Sequence, residues 1–147
     1  MSANYKNVAG AVMFEGTTSY YNERFADSWI QLILAANYAG PAVFDVYSCP
    51  PAANGTPNTG AEAKIQFAAP NCPGYSQNAA GDLQLKLSAK DVAPAADQIG
   101  VKTGVRIINV RLPMMPGNHF VTLKANPANA ETAKVQALLM HDAAVVR

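Results

Sequence analysis

The feature of this chain that most limits its fold is the alternation of short apolar stretches with turns rich in Pro, Gly and Asn. Hydrophobic residues make up 50% of the chain. No apolar run approaches the roughly 18 residues that a membrane-spanning helix needs, so we expect no membrane association. Short apolar runs bounded by turn residues are typical of β-strands. We predict a mainly β protein: an antiparallel β-sandwich of about eight strands, with a jelly roll as one form of it.

Residues 83–87 show the clearest strand pattern. The leucines at 83, 85 and 87 alternate with the polar residues Gln84, Lys86 and Ser88. Because side chains in a strand point alternately to opposite faces, this pattern predicts a buried leucine face and a solvent-facing polar one.

Two pairs of apolar segments predict β-hairpins. Residues 105–112 and 120–125 are separated by the five-residue turn 113–117, whose sequence is Pro-Met-Met-Pro-Gly. Residues 29–37 and 42–49 flank a turn that contains Gly-Pro. Short connections of this kind commonly join antiparallel neighbours.

Two segments fit a helix as well as a strand. For 29–37 the alternation that runs from Ile30 to Tyr38 favours a strand. For the last segment, Asn126-Pro127 could begin a helix, but we prefer a final strand over 134–140 because an even number of strands closes a sandwich more easily. Shorter strand candidates are 8–14 and 63–69.

The length of 147 residues indicates one domain, which we place at 8–147 behind a polar N-terminal arm at 1–7. The apolar run 8–14 is short for a secretory signal, so we expect a protein made in the cytoplasm without a signal peptide. Long connections are expected at 50–60, 70–81 and 91–104, at the ends of the sandwich where binding residues often lie.

Charged residues are scarce: they make up 14% of the chain, against about 25% in a typical soluble domain. The net charge is +1 and the basic residues are scattered, so we expect no binding to nucleic acid. A neutral surface rich in Ala and Asn is suited to being covered by neighbouring subunits. The composition therefore favours a component of an assembly.

Two cysteines, Cys49 and Cys72, each precede a proline, and their spacing matches no zinc motif. A disulfide between them would close a loop of about 23 residues and stabilise the fold by roughly 3 kcal/mol. Buried free thiols are the alternative, and both remain open at this point.

No catalytic pattern is present. His119 and His141 are the only histidines, and no nucleophile or orienting acid can be placed beside either. The carboxylates are dispersed, and no calcium loop or glycine-rich phosphate cradle occurs. We expect no enzymatic activity, no metal and no cofactor.

The candidate contact residues lie in the arm, at the 113–117 turn and in one loop: Ser2, Ala3, Asn4, Tyr5, Met114, Met115 and Tyr75. Methionine at a turn is adaptable and apolar, which suits contact with a partner. Aromatic residues offer a second hypothesis, a carbohydrate-binding module whose stacking platform would draw on Tyr20, Tyr21, Trp29, Tyr38, Tyr47 and Tyr75. We read Asn54-Gly55-Thr56 as a turn rather than a glycosylation site.

The stretch VRIINVRLPMMPGNHFVTL at 105–123 is similar to the closing hairpin of jelly-roll-like sandwiches, and 38–47 is similar to paired strands in such domains. In size and strand–turn texture the chain resembles small virion proteins of tailed bacteriophages, especially capsid decoration (cement) proteins. The resemblance implies a β-domain that binds the outer face of the capsid shell as a dimer or trimer. Its partner would be the major capsid protein, its location the virion, and its N-terminal arm a contact element.

Overall fold

The computed structural model of this protein describes residues 11–12, 19–22, 28–65, 82–96, 98–112 and 118–141. Within these residues there is no α-helix, and hence no helix that could span a membrane. Two single 3₁₀ turns occur, at Thr59–Ala61 and Thr132–Lys134. The strands are β1 (Ala11–Val12), β2 (Ser19–Asn22), β3 (Ser28–Leu34), β4 (Ala42–Cys49), β5 (Ala63–Lys64), β6 (Gln84–Leu87), β7 (Ile107–Arg111), β8 (Asn118–Ala125) and β9 (Val135–His141). The protein is mainly β, as the sequence predicts.

The strands form two antiparallel sheets. The first has the order β1-β9-β3-β7, and the second has the order β2-β8-β4-β5, with β6 also pairing with β4. Both β3 and β4 are interior strands with a partner on each side. Five of the seven β3 residues and six of the eight β4 residues are apolar, as expected for strands inside a sheet.

One core lies between the two sheets. Alternate residues of β3 (Ile30, Leu32, Leu34) and of β4 (Phe44, Val46) are fully buried in the same cluster. The first sheet adds residues of β7 and β9, and the second adds the β6 leucines and residues of β8. Burial of this apolar surface by both sheets is the main force that holds them together.

Both predicted hairpins are wrong, although their strands are present. β7 pairs with β3 whereas β8 pairs with β2 and β4, so the chain changes sheet between β7 and β8. It also changes sheet between β3 and β4. Alternation specifies which face of a strand is buried. The same face is buried whether the chain continues in a hairpin or crosses to the opposite sheet. The pattern therefore does not determine the neighbour.

The leucine face of residues 83–87 is confirmed, but its polar side is not uniformly in solvent. Gln84 is 9% exposed and Ser88 is 2% exposed. The Gln84 amide donates to Asp45 Oδ1 at 2.8 Å, and the Ser88 hydroxyl accepts from the Val101 N–H at 2.8 Å. Polar side chains can be buried at low cost when they are hydrogen-bonded in this way, and sequence alternation cannot show such partners.

The remaining predictions have mixed outcomes. The strand interpretation is confirmed for both ambiguous segments, as β3 and β9. The strand candidates at 8–14 and 63–69 appear as the two-residue β1 and β5 among the described residues, and β2 had no counterpart in the predictions. The turn at 54–56 is confirmed, because the Asn54 side chain accepts from the Thr56 N–H at 3.2 Å and Gly55 has a φ of +82°.

Candidate functional site

The outer side of the first sheet is the surface whose composition is most unusual for a sheet facing solvent. Since alternate residues of β3, β7 and β9 enter the core, the others point away from it. We call these the outer face. The strand register arranges them in three rows, Arg111–Trp29–Met140, Asn109–Gln31–Leu138 and Ile107–Ile33–Gln136.

Five of the nine outer-face residues are apolar, three are amides and one, Arg111, is charged. Gln31 Nε2 donates to Asn109 Oδ1 at 3.1 Å, so two of the amides link β3 to β7. Ile107 is 55% exposed, and the β3 members are half-buried. An antiparallel sheet with one face in water normally carries mostly polar residues there, whereas the majority of the outer-face residues here are apolar.

Trp, Met and Arg are enriched at protein–protein interfaces, while Lys, Glu and Asp are depleted there. The outer face holds Trp29, Met140 and Arg111, and it holds no Lys, Glu or Asp. Its amides supply the hydrogen bonds that a partially apolar interface also needs. This surface has the chemistry to be buried against another protein.

The outer side of the second sheet is different, because it carries a closed polar network. Asp45 is 2% exposed, and its carboxylate accepts from Gln84 Nε2 at 2.8 Å and from Asn126 Nδ2 at 2.7 Å. Lys64 Nζ lies 3.6 Å from Asp45 and 3.9 Å from Asp82. The structure thus brings two of the dispersed carboxylates together around one lysine. Since both Asp45 carboxylate oxygens accept hydrogen bonds, the network is suited to holding β4, β5 and β6 together.

Beside this network, Lys124 Nζ lies 4.4 Å from the centroid of the Tyr47 ring and forms an ion pair with Glu62. The cation occupies one face of the tyrosine. That ring face is therefore not open for stacking on a sugar.

An open crevice of about 380 Å³ lies where the connections after β3 and β6 meet, lined by Tyr38, Lys90, Asp91 and their neighbours. The Tyr38 hydroxyl donates to the Ser88 carbonyl at 3.2 Å. Burial, and then the charge of Glu131, raise the pKa of Tyr38 to about 12. A phenol with so high a pKa is a structural donor and not an acid–base catalyst near neutral pH.

Cys49 lies at the end of β4 as a buried free cysteine, and burial raises the pKa of its thiol. A thiol of this kind is unreactive because little thiolate forms near neutral pH. Cys72, the other cysteine of the possible bridge, lies outside the described residues.

The other predicted contact residues also lie outside the described ranges: Ser2, Ala3, Asn4, Tyr5, Tyr75, Met114 and Met115. His119 is in β8 of the second sheet and His141 ends β9 of the first. Of the proposed aromatic platform, the described side chains lie apart: Trp29 on the outer face, Tyr38 in the core and Tyr47 on the second sheet.

Sequence reasoning missed Ile33, Ile107, Leu138 and Met140 as surface residues. A signal was available in β3, whose sequence is SWIQLIL. Apolar residues occupy both its inward-facing and its outward-facing positions, and Gln31 is the one polar residue among the outward-facing ones. A strand that is apolar on both faces has a second surface to cover.

No family model, no curated protein and no solved structure matches this chain. In the part of the chain that the structure describes, no three His, Cys, Asp or Glu side chains gather as metal ligands. The outer face is therefore the feature of the described residues that bears most directly on function.

Proposed function

We propose that this protein is a non-enzymatic structural subunit that stabilises a larger protein assembly, built as an antiparallel β-sandwich with a jelly roll as its more specific form. The single observation that carries the proposal is the composition of the outer face, apolar and amide-rich with one charge. The assembly we propose is a viral capsid shell, which the protein decorates from outside. This identity is supported by the strand–turn texture of the chain and its neutral surface.

Burial of the outer face supplies the binding energy in this proposal. Each Å² of apolar surface removed from water contributes about 25 cal/mol, before the cost of ordering the partners is subtracted. One standard interface buries about 1,600 Å², and repeated contacts across a lattice add avidity without new chemistry. The arm at 1–7 and the Met114-Met115 turn are the further contacts we propose, to other copies in a dimer or trimer or to the major capsid protein.

A carbohydrate-binding module is the alternative function. It calls for a row of exposed aromatic rings on one face, and the described aromatic side chains do not form one. No observation on the described residues favours it over the structural role.

The test combines light scattering during size exclusion, over a dilution series, with co-sedimentation on purified capsids of the virus whose genome carries the gene. We expect the wild type to co-sediment at a fixed stoichiometry. Ile33→Lys places a charge on β3, the middle strand of the outer face, and should weaken binding by at least about tenfold, as at an interface hot spot.

Val92→Lys is the matched control, because Val92 is 60% exposed and lies in a connection, away from the outer face. It should bind and associate as the wild type does, and circular dichroism should show both variants folded. A wild type that stays monomeric and also remains in the supernatant would overturn the proposal. So would an Ile33→Lys variant that co-sediments fully.

A further inference from the structure

The edges of the two sheets are not equally protected. The edge of β6 is covered by Ile99, whose N–H donates to the Lys86 carbonyl at 2.7 Å and whose carbonyl accepts from the Ser88 N–H at 3.1 Å. Strands β1 and β5 are only two residues long. By contrast β7 is a five-residue edge strand of the first sheet, and β3 is its only strand partner in the described chain.

The hydrogen-bonding pattern shows which backbone groups of β7 point outward. The Leu34 N–H donates to the Arg106 carbonyl at 2.7 Å, and the register then runs from Ile33↔Ile107 to Trp29↔Arg111. In an antiparallel ladder, alternate residues bond to the partner, so Ile108 and Val110 bond to β3. Ile107 and Asn109 therefore direct their N–H and C=O groups to the free edge, where no described residue pairs with them.

Up to Val110 this edge also lacks the usual devices against pairing. Its first four residues, Ile-Ile-Asn-Val, include three β-branched residues and neither proline nor lysine, and its register with β3 is regular. Ile107 and Asn109 are exposed. Natural proteins usually block a strand like this one unless it is used, because its unpaired groups form a template for another strand.

We propose that a second copy of this chain pairs with β7 edge to edge, antiparallel, about a twofold axis at Asn109. This inference rests on the proposed structural function and names one of its contacts. Strand addition of this kind is held by main-chain hydrogen bonds, which any copy of β7 offers to any other. A twofold axis at Asn109 is the arrangement in which all five residues of both strands lie opposite one another.

The register follows from the position of the axis. With the axis at Asn109, Arg111 of one copy lies opposite Ile107 of the second copy, and the two Arg111 residues are about 14 Å apart along the ladder. Pairing at Asn109 also makes the outer faces of the two copies continuous, because the row of Ile107 and Ile33 in one copy meets the row of Arg111 and Trp29 in the other.

The pair of strands is short. By itself it buries less than the about 1,200 Å² of a stable complex, so we expect a reversible dimer that dissociates on dilution. Such a contact becomes effective when many copies are held on one lattice.

Disulfide trapping tests the geometry. Asn109→Cys should give a cross-linked dimer under mild oxidation, because residues opposite each other in a hydrogen-bonded pair have Cα atoms about 5.5 Å apart, which a disulfide can span. Ile107→Cys is the matched control: it lies on the same edge and face, but its own copy would be about 14 Å away. The wild type, with its native cysteines, sets the background.

We expect most of the Asn109→Cys chain to become a dimer on a non-reducing gel, with Ile107→Cys at the background level. Asn109→Pro, which removes an outward N–H and leaves the ladder to β3 intact, should weaken self-association by at least about tenfold in the dilution series, whereas Asn109→Thr should not. If Asn109→Cys cross-links no more than the wild type does, or no more than Ile107→Cys does, the proposed pairing is wrong. If the pairing is wrong but Ile33→Lys alone loses capsid binding, the proposed structural function still holds.

Discussion

Among single residues, two buried threonines show how hydrogen-bond partners decide whether a buried hydroxyl stabilises or destabilises the fold. Thr122 and Thr132 are both 1% exposed. The Thr132 hydroxyl accepts from the Asn129 N–H at 2.9 Å and donates to the Asn129 carbonyl at 2.8 Å. Among the residues that the structure describes, the Thr122 hydroxyl has no hydrogen-bond partner. A buried polar atom without a partner keeps its full desolvation cost.

We expect Thr122→Val to raise the free energy of unfolding by about 1 kcal/mol, since it removes that unpaired hydroxyl and keeps the shape. Thr132→Val is the matched control and should lower it by about 1–2 kcal/mol, because two hydrogen bonds are lost. Urea unfolding measures both. A loss of stability in Thr122→Val would show that its hydroxyl has a partner after all.

At the scale of the element, the connection between β8 and β9 is fastened to the connection between β3 and β4. The Glu131 carboxylate accepts from the N–H groups of Ala39 at 2.8 Å and Gly40 at 3.1 Å, and from Lys134 Nζ at 2.8 Å. Gly40 has a φ of +57°, and a Cβ there would lie 2.5 Å from the Tyr38 hydroxyl. The β3–β4 turn therefore needs glycine and an acceptor from another element.

These partners lower the pKa of Glu131 from 4.5 to about 2, with the hydrogen bond from Lys134 as the largest cause and the backbone bond from Ala39 next. Between pH 4.5 and 2 the folded state holds fewer protons than the unfolded state. The stability that the ionised Glu131 contributes is therefore present above pH 4.5 and is lost as the pH falls towards 2. Glu131→Gln should lower the melting temperature at pH 7 and reduce its fall between pH 4.5 and 2.

Differential scanning calorimetry across this pH range gives the comparison. If the melting temperatures of Glu131→Gln and the wild type fall in parallel, the ionised carboxylate does not stabilise the contact between the two connections.

At the scale of the whole molecule, the shared core makes the two sheets depend on each other. Neither sheet can leave the other without exposing the fully buried residues of β3 and β4. We therefore expect a single cooperative unfolding transition. Trp29, the only tryptophan, lies in the first sheet and reports on it by fluorescence, whereas far-ultraviolet circular dichroism reports on both sheets.

The urea midpoints from the two signals should coincide. A Trp29 transition at lower urea than the dichroism transition would mean that the first sheet unfolds by itself, and it would contradict a single core.

Several features could be predicted from local sequence because they depend on neighbours along the chain. Strict alternation located the buried leucines of β6 and the inward residues of β3. Asn54-Gly55 located a turn, since asparagine accepts from the backbone two residues on and glycine tolerates positive φ. The outer face could be read only in part, from the apolar residues on both sides of β3.

The strand class, the inward face of the main strands and the neutral composition can thus be read from the amino-acid sequence, because periodicity and composition are properties of the chain alone. The placement of β3 and β4, and of β7 and β8, in different sheets comes from the folded arrangement, since either arrangement buries the same faces. The folded arrangement also decides the burial of Asp45 and Gln84, which depends on partners far away in the chain. The rows of the outer face and the open edge of β7 are products of strand order, and strand order follows from how both sheets share one core.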